Sequence, residues 1–280
     1  MTYTAEISRN NPSCILFIID QSGSMSDKYA SIGKAKSEAL ADVINRMLQQ
    51  LVIKCAKSEG VRDYYYVGVI GYGANGVKSA FGGNLSGKDL VPISEIANYP
   101  ARIEERNKRV SDGAGGLIET SVKFPIWFDP VANGGTPMTK AFEKANEVIS
   151  SWLKVNQNCF PPVVIHITDG ESTDGVPSNE MQKLTSQSSS DGNVILFNLH
   201  THASSVNPIS FPVNDISLPD QYSKILFNGA SPLPNFMREV ATNEYGINFP
   251  DGARAFVLNG DIDLIITAIE IGTRPSLLLR

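Results

Sequence analysis

No segment constrains the fold of this chain more than residues 15–24, ILFIIDQSGS. Its first five residues are apolar and mostly β-branched or aromatic, which is typical of a strand buried on both faces of a sheet. They lead directly into Asp20, Ser22 and Ser24, with Gly23 between the two serines. Because ligands bind at the carboxyl ends of the strands in open α/β sheets, this transition predicts a binding site.

Strand patterns and helix patterns alternate along the rest of the chain. Aromatic and β-branched runs predict further strands at 63–72, 162–168, 193–200 and 254–258, with a hairpin or a short edge strand near 77–81. Apolar residues at helical spacing predict helices at 26–58, 141–152, 178–187, 234–242 and 262–271. The alternation predicts an α/β fold of three layers: a doubly wound, mostly parallel central sheet with helices on both faces. Gly68 and Gly71 in the second strand predict the close approach of a helix.

We expect one domain over 1–280, with loop insertions at about 99–130 and 203–230. The first insertion contains the charge cluster 102–109, the glycine-rich DGAGG at 112–116 and KFPIWF at 123–128. It is long for a connection, so a functional insertion is one interpretation, and a solvated helix face with a surface hairpin is the other. The second insertion has several prolines and little periodicity, which predicts an irregular segment.

Composition and charge exclude several classes of protein. The formal net charge of −5 comes without a basic stripe, so we expect no nucleic-acid partner. No apolar run approaches the roughly 18 residues of a membrane span, and the N-terminal residues lack the apolar core of a signal peptide. Cys14, Cys55 and Cys159 are widely spaced, which suits buried thiols in a reducing compartment better than disulfides or zinc ligands. We therefore expect a cytoplasmic protein that does not contact membranes.

Residues 82–88 resemble a phosphate-binding loop, since Gly82, Gly87 and Lys88 match the spacing G-x-x-x-x-G-K. The next residue is Asp89 instead of Ser or Thr, and Pro92 interrupts any helix that would present its N-terminus to phosphate. We do not predict a nucleotide site there.

The histidines do not predict a catalytic or metal site. His166 lies inside an apolar strand pattern and is expected to be a core residue hydrogen-bonded to the main chain. His200 and His202 share a strand face but lack a nearby third ligand, which indicates a polar strand end.

Two further loops carry oxygen side chains at the same predicted sheet edge. The loop NGGTP at 133–137 ends at a helix start, where Thr136 suits the N-cap and Pro137 the first helical position. Asp169 follows the strand at 162–168, as Asp20 follows the first strand. Parallel strands bring these loops together, so Asp20, both serines, Thr136 and Asp169 are expected to form one site.

These residues resemble the metal-ion-dependent adhesion site of the von Willebrand factor type A (VWA) domain, and the resemblance covers about 12–272. It implies a Rossmann-like fold and bound Mg²⁺, with Mn²⁺ or Ca²⁺ as alternatives. The implied ligands are Asp20, Ser22, Ser24, Thr136 and Asp169. The chain departs from the commonest family pattern at Gln21 and in the insertion at 100–130.

The resemblance also implies how such a site works. The three hydroxyls bind the cation directly and the two carboxylates act mostly through bound water, so the cation remains electrophilic. An Asp or Glu carboxylate from a protein partner then completes the octahedron. Bacterial intracellular relatives suggest a stress, signalling or defence complex, and the protein is not expected to be an enzyme.

Three other functions remain open from the sequence. The first is an Mg²⁺-dependent phosphoryl hydrolase with Asp20 as the nucleophile, for which the flanking residues supply no obvious acid, base or cation. The second is a scaffold that binds partners without metal. The third is an adhesive role outside the cell, against which the unpaired cysteines argue.

Overall fold

The computed structural model describes residues 3–111, 116–204 and 207–273 of the chain. Outside it lie most of the glycine-rich segment of the first insertion, residues 205–206 of the second, and both ends of the expected domain. Within the described ranges, no helix is both long and apolar enough to cross a membrane.

Within these ranges, the strands are β1 (Ser13–Asp20), β2 (Ala56–Lys57), β3 (Gly60–Val61), β4 (Tyr65–Gly73), β5 (Gly76–Ser79), β6 (Val91–Pro92), β7 (Arg102–Ser111), β8 (Leu117–Ile126), β9 (Val163–Thr168), β10 (Ile195–Thr201), β11 (Ile209–Ser210) and β12 (Phe256–Gly260). The α-helices are α1 (Lys36–Cys55), α2 (Ile93–Asn98), α3 (Met138–Val155), α4 (Ser178–Ser186), α5 (Gln221–Gly229), α6 (Asn235–Tyr245) and α7 (Ile262–Thr273).

The central sheet has the strand order β11-β12-β10-β9-β1-β4-β5, and β6 also pairs with β4. The inner pairs are all parallel, whereas β5, β6 and β11 run antiparallel to their neighbours. The predicted doubly wound, mostly parallel sheet is therefore confirmed. The chain continues from β1 to β4 on one side and later adds β9 on the other, so a crevice opens at the carboxyl end of β1.

Both faces of the sheet are covered by helices, as predicted. Ile15, Phe17 and Ile19 of β1 belong to the apolar core that includes α1 and α7. Leu16 and Ile18 point to the opposite face and join the core that includes α3, α4 and α5. The apolar residues before Asp20 are thus buried on both sides, which places that carboxylate at the end of a strand inside the sheet.

The first helix begins later than its periodicity predicts. A short 3₁₀ turn spans Gly23–Ser26, and α1 starts only at Lys36. The intervening loop is held down by Tyr29, which is buried and hydrogen-bonded through its hydroxyl to Thr201 of β10. Ile32, an apolar residue inside the predicted helix 26–58, is 47% exposed. The predicted start near residue 26 is therefore wrong, because this loop packs on a strand that is distant in sequence.

The two glycines of β4 do not make room for a helix. A Cβ atom on Gly68 would collide with the main-chain carbonyl of Asp89, and one on Gly71 would collide with the side chain of Gln21. Gln21 is also the residue that departs from the commonest VWA pattern. Its amide packs where β4 has no side chain.

The first insertion is a two-stranded hairpin of β7 and β8, so the expected surface hairpin is present but the helix face expected beside it is not. The base of the hairpin is fixed to α1 by Asn45, whose side chain is 1% exposed. Asn45 accepts a hydrogen bond from the Trp127 N–H at 2.9 Å and donates one to the Phe128 carbonyl at 3.1 Å. The charge cluster therefore lies on a strand and not on a helix.

The second insertion is more regular than its prolines suggest. It contains the edge strand β11 and the helix α5, which buries Leu226 and Phe227. Asp220 begins α5 with a capping box, accepting the Ser223 N–H at 2.7 Å. The expectation of an irregular segment is wrong for 221–229.

Candidate metal site

Three loops meet at the carboxyl end of β1, and main-chain hydrogen bonds fix their spacing. The Gly23 N–H donates to the Gly134 carbonyl at 2.9 Å, and the Asn133 N–H donates to the Gln21 carbonyl at 2.7 Å. Gly73 at the end of β4 leaves space for this contact, because a Cβ atom there would lie 2.7 Å from the Gln21 oxygen. The loop after β1 and the loop before α3 are therefore locked together.

Asp20 ends β1 and is 1% exposed. Its Oδ1 accepts the Ser22 N–H at 2.8 Å, and its Oδ2 accepts the Thr168 hydroxyl at 2.7 Å. Burial raises the pKa of Asp20 to about 6, although these hydrogen bonds favour the charged form. Asp20 is therefore a buried carboxylate in an environment that leaves its charge poorly compensated.

Ser22, Ser24 and Asp169 form a continuous row of oxygen atoms. The two serine Oγ atoms are 3.2 Å apart, and the Ser24 hydroxyl donates to Asp169 Oδ1 at 2.7 Å. The row joins the loop after β1 to the loop after β9, as their adjacent positions in the sheet require. The predicted proximity of these three residues is thus present in the structure.

Thr136 lies on the third loop and is 6% exposed. Its main chain is fixed by Thr173, whose hydroxyl accepts the Thr136 N–H at 3.0 Å and whose N–H donates to the Thr136 carbonyl at 2.9 Å. In the part of the chain that the structure describes, the Thr136 hydroxyl has no hydrogen-bond partner. This hydroxyl is therefore available to a ligand.

Thr136 is not the N-cap of the following helix. Pro137 occupies the N-cap and α3 begins at Met138. The open N–H groups of the first turn are satisfied by Asp174, which accepts from Thr139 at 2.9 Å and from Lys140 at 3.1 Å. The predicted N-cap is one residue before the observed one. The carboxylate that caps the helix comes from the loop after β9.

A cation of the protein itself lies against the site. The ammonium of Lys36 forms an ion pair with Asp169 Oδ2 and lies 3.6 Å from Asp27 Oδ2. The Lys36 side chain is 5% exposed and that of Asp169 is 0% exposed. Asp169 thus uses one oxygen for Ser24 and the other for Lys36.

The donor set fits a hard divalent cation. Neighbouring ligands of an octahedral Mg²⁺ are about 3 Å apart, given metal–oxygen distances of about 2.1 Å, and the two serine Oγ atoms are separated by 3.2 Å. No group of three or more His, Cys, Asp or Glu able to hold a metal occurs in the described ranges. The set predicted from the sequence contains only two carboxylates, and hydroxyls supply the rest.

His166 and His200 have structural contacts and do not belong to the candidate site. His166 is 0% exposed, with Nδ1 3.0 Å from Asn198 Oδ1 and Nε2 2.8 Å from the Tyr72 hydroxyl. The predicted core histidine is confirmed, although its partners are side chains. His200 Nδ1 accepts the Asn259 N–H at 3.2 Å. Burial lowers the pKa of both imidazoles to about 4, so they are neutral near pH 7.

Two other sequence features also have structural explanations. Lys88 of the glycine-rich 82–88 segment forms an ion pair with Glu95 and follows a short 3₁₀ turn. Cys14, Cys55 and Cys159 are buried, unpaired thiols, as expected. Burial raises the pKa of each thiol, which keeps them protonated.

Sequence reasoning missed two residues that contact the site. Thr168 holds Asp20 and could have been suspected, since it is the polar residue that ends β9. Lys36 lies inside the predicted helix 26–58, whose pattern does not connect it with the site. Only the late start of α1 places it beside Asp169.

A scan against models of protein families gives no match, and a search of curated proteins gives none either. Similar solved structures include the VWA domain of SpRpn10, with 12% identity, a TM-score of 0.40, and coverage of 69% of this chain and 77% of that one. The pilus adhesin SpaC from Lactobacillus rhamnosus GG has 11% identity, a TM-score of 0.47, and coverage of 96% and 30%. The vWF domain of the type V pili tip protein Mfa5 from Porphyromonas gingivalis has 16% identity, a TM-score of 0.30, and coverage of 58% and 39%.

These three structures are VWA domains or pilus proteins, and their TM-scores all lie below 0.5. The chain spans 30% of the SpaC chain and 39% of the Mfa5 chain, so those structures contain much that this chain does not.

Proposed function

We propose that this chain is a metal-dependent protein-binding module. Asp20, Ser22, Ser24, Thr136 and Asp169 hold a divalent cation, Mg²⁺ by preference and Mn²⁺ or Ca²⁺ as alternatives. The observation that carries the proposal is the row of oxygen atoms formed by the two serines and Asp169, at the sheet edge where α/β folds bind ligands.

The chemistry of the donor set supports a carboxylate partner. Three of the five proposed ligands are neutral hydroxyls, and both Asp20 oxygens already accept hydrogen bonds from the protein. A cation whose direct ligands are mostly neutral remains electrophilic and attracts an external anion. We therefore propose that an Asp or Glu side chain of a protein partner completes the coordination.

A phosphoryl hydrolase using Asp20 is less well supported. A nucleophilic carboxylate needs an oxygen free to attack, whereas Asp20 is buried and both of its oxygens are engaged. Lys36 is the nearest candidate for stabilising phosphoryl charge, but its ammonium is buried between Asp169 and Asp27. We propose that the protein is not an enzyme. Release of phosphate from p-nitrophenyl phosphate by wild type, and not by Asp20→Ala, would contradict this.

The cellular role is a proposal by analogy. Bacterial intracellular proteins with this kind of site suggest a cytoplasmic complex in stress, signalling or defence. Nothing in the five residues selects among these settings. A scaffold that binds its partner without metal is the alternative that the experiment below separates.

The first test compares the Mn²⁺ affinities of wild type, Ser24→Ala and Ser26→Ala. The electron paramagnetic resonance signal of free Mn²⁺ measures how much of the ion each protein binds. Ser24 belongs to the oxygen row, whereas Ser26 lies on the same turn and donates only to the Gly23 carbonyl, at 2.8 Å. Ser24→Ala should weaken Mn²⁺ binding at least tenfold, and Ser26→Ala should behave as wild type.

The same three proteins then serve in a pull-down from native lysate with Mg²⁺ or with EDTA. A partner recovered by wild type and Ser26→Ala only with Mg²⁺ supports the module. Equal recovery in EDTA indicates the metal-independent scaffold. Equal Mn²⁺ affinity of Ser24→Ala and wild type removes the proposed site.

A further inference from the structure

Lys36 is an unusual neighbour for a cation site. Its side chain is 5% exposed, and its ammonium is paired with a carboxylate that is itself fully buried. Lys36 opens α1, and its own N–H donates to the Asp27 carbonyl at 2.9 Å, which anchors the helix start to the loop after β1. The position of the ammonium is therefore set by the main chain as well as by charge.

A buried ammonium does not favour metal binding. Removing a charge from water costs several kcal/mol unless it is paired, and a fixed positive charge beside a metal lowers the affinity for that metal. An apolar side chain at the same position would avoid the loss of metal affinity, although it would leave Asp169 buried without a counter-ion in the metal-free protein. The presence of Lys36 is explained if the site gains something other than metal affinity.

The charges of the site indicate what it gains. Mg²⁺ with the carboxylates of Asp20 and Asp169 alone is formally neutral. Lys36 adds one buried positive charge, because its other neighbour, Asp27, is 63% exposed and its charge is largely screened by water. The single carboxylate of a partner then cancels this excess. Without Lys36, the same partner would leave one negative charge in a buried site.

We propose that Lys36 is a positioning residue that holds Asp169 through Oδ2 and keeps the metal-loaded site one positive charge in excess, so that a partner carboxylate is bound in place of water. This inference rests on the proposed function, because it assumes that the five residues hold a cation. It names a residue that sets the affinity of that cation for its partner.

The test compares wild type, Lys36→Met and Lys34→Met. Lys34 is a matched control, because its side chain is 54% exposed and pairs with Asp42, away from the site. Lys36→Met should bind Mn²⁺ at least tenfold more tightly than wild type, measured by electron paramagnetic resonance. It should also lose affinity for acetate, which in wild type displaces Mn²⁺-bound water and lowers the water proton relaxation rate. Lys34→Met should match wild type in both measurements.

Folding provides a second readout, since Lys36→Met leaves Asp169 buried without its counter-ion. The variant should have a lower melting temperature than wild type in EDTA and should gain more from saturating Mn²⁺. A variant that stays unfolded even in saturating Mn²⁺ would overturn the inference, because the metal is expected to replace the missing ammonium.

The two proposals fail in different ways. If wild type binds Mn²⁺ but Lys36→Met binds it equally or more weakly, the role of Lys36 is wrong and the metal site stands. If only Lys36→Met binds Mn²⁺, Lys36 acts as a competing cation, and a metal-dependent function of wild type is wrong. If neither protein binds Mn²⁺, both proposals are wrong.

Discussion

The carboxylate of Asp20 is held in a charge state that its surroundings do not favour. Burial raises its pKa to about 6, so the metal-free protein keeps a costly negative charge at pH 8. The cost disappears when the group is protonated, or when a cation compensates it. This single residue therefore links pH to the free energy of unfolding, and the proposed cation would act on the same charge.

Asp20→Asn should make the metal-free protein more stable. The amide oxygen can still accept the Ser22 N–H, and the amide N–H can donate to Thr168, whose hydroxyl can instead turn to the Gly170 carbonyl at 3.1 Å. Removing the charge should add about 3 kcal/mol at pH 8, which corresponds to a pKa shift of about two units. Urea unfolding in EDTA measures the difference.

The pH dependence and Mg²⁺ provide the checks on Asp20→Asn. The advantage of the variant should shrink below pH 6 and vanish near pH 4, where Asp20 itself becomes neutral. Mg²⁺ should stabilise wild type and leave the variant unchanged. Asp27→Asn, at an exposed position, controls for a general effect of removing an acid. A less stable Asp20→Asn at pH 8 in EDTA would show that the charge of Asp20 is well compensated without metal.

At the scale of the elements, the β7–β8 hairpin depends on one buried side chain of α1. Asn45→Ala would leave the Trp127 N–H and the Phe128 carbonyl without their partner. Two buried groups left unsatisfied should lower the free energy of unfolding by about 2–4 kcal/mol. Urea denaturation of Asn45→Ala measures this, with Gln50→Ala on the exposed side of the same helix as control. Equal stability of the two variants would mean that water replaces the Asn45 contacts.

The local sequence pattern predicts best those strands that are buried along their whole length. β1, β9 and β10 are buried on both faces and mostly apolar, so their sequences alone identify them. The start of α1 was missed, because Tyr29 is held by a strand far along the chain. The helix α5 was not predicted, because the prolines before it indicate an irregular segment, although a capping box begins at Asp220. Local propensity fails where a distant contact decides the conformation.

The residues of the candidate site could also be predicted from the sequence only in part. Oxygen side chains directly after predicted strands identified Asp20 and Asp169, and the strand order then brings them together. Lys36 and Thr168 could not be assigned to the site in this way. Their contacts depend on where α1 begins and on the register of β9 against β1, which no pattern within one segment determines.

At the scale of the whole molecule, a hydrogen-bonded row crosses the central sheet on one face. Tyr72 of β4 bonds to His166 of β9, which bonds to Asn198 of β10, and β1 lies between the first two strands. The row therefore joins the two halves of the sheet across the strand that carries Asp20. Asn198 donates its own amide to the Leu226 carbonyl at 2.7 Å, so its Oδ1 accepts from His166 Nδ1 and leaves Nε2 to accept from Tyr72.

This row should make the fold sensitive to acid through His166. Because the pKa of His166 is about 4 in the folded protein and about 6.5 in an unfolded chain, the unfolded state takes up a proton first as the pH falls. The contribution of neutral His166 is complete above pH 6.5 and is lost as the pH falls toward 4, by about 3 kcal/mol.

His166→Gln lacks this proton uptake. It should be less stable than wild type at pH 7, yet lose less stability between pH 7 and pH 4. Asp20 and His200 titrate in both proteins and cancel in the comparison, which is made by urea unfolding in EDTA. Parallel stability curves for the two proteins would show that His166 is protonated as readily in the folded state as in the unfolded one.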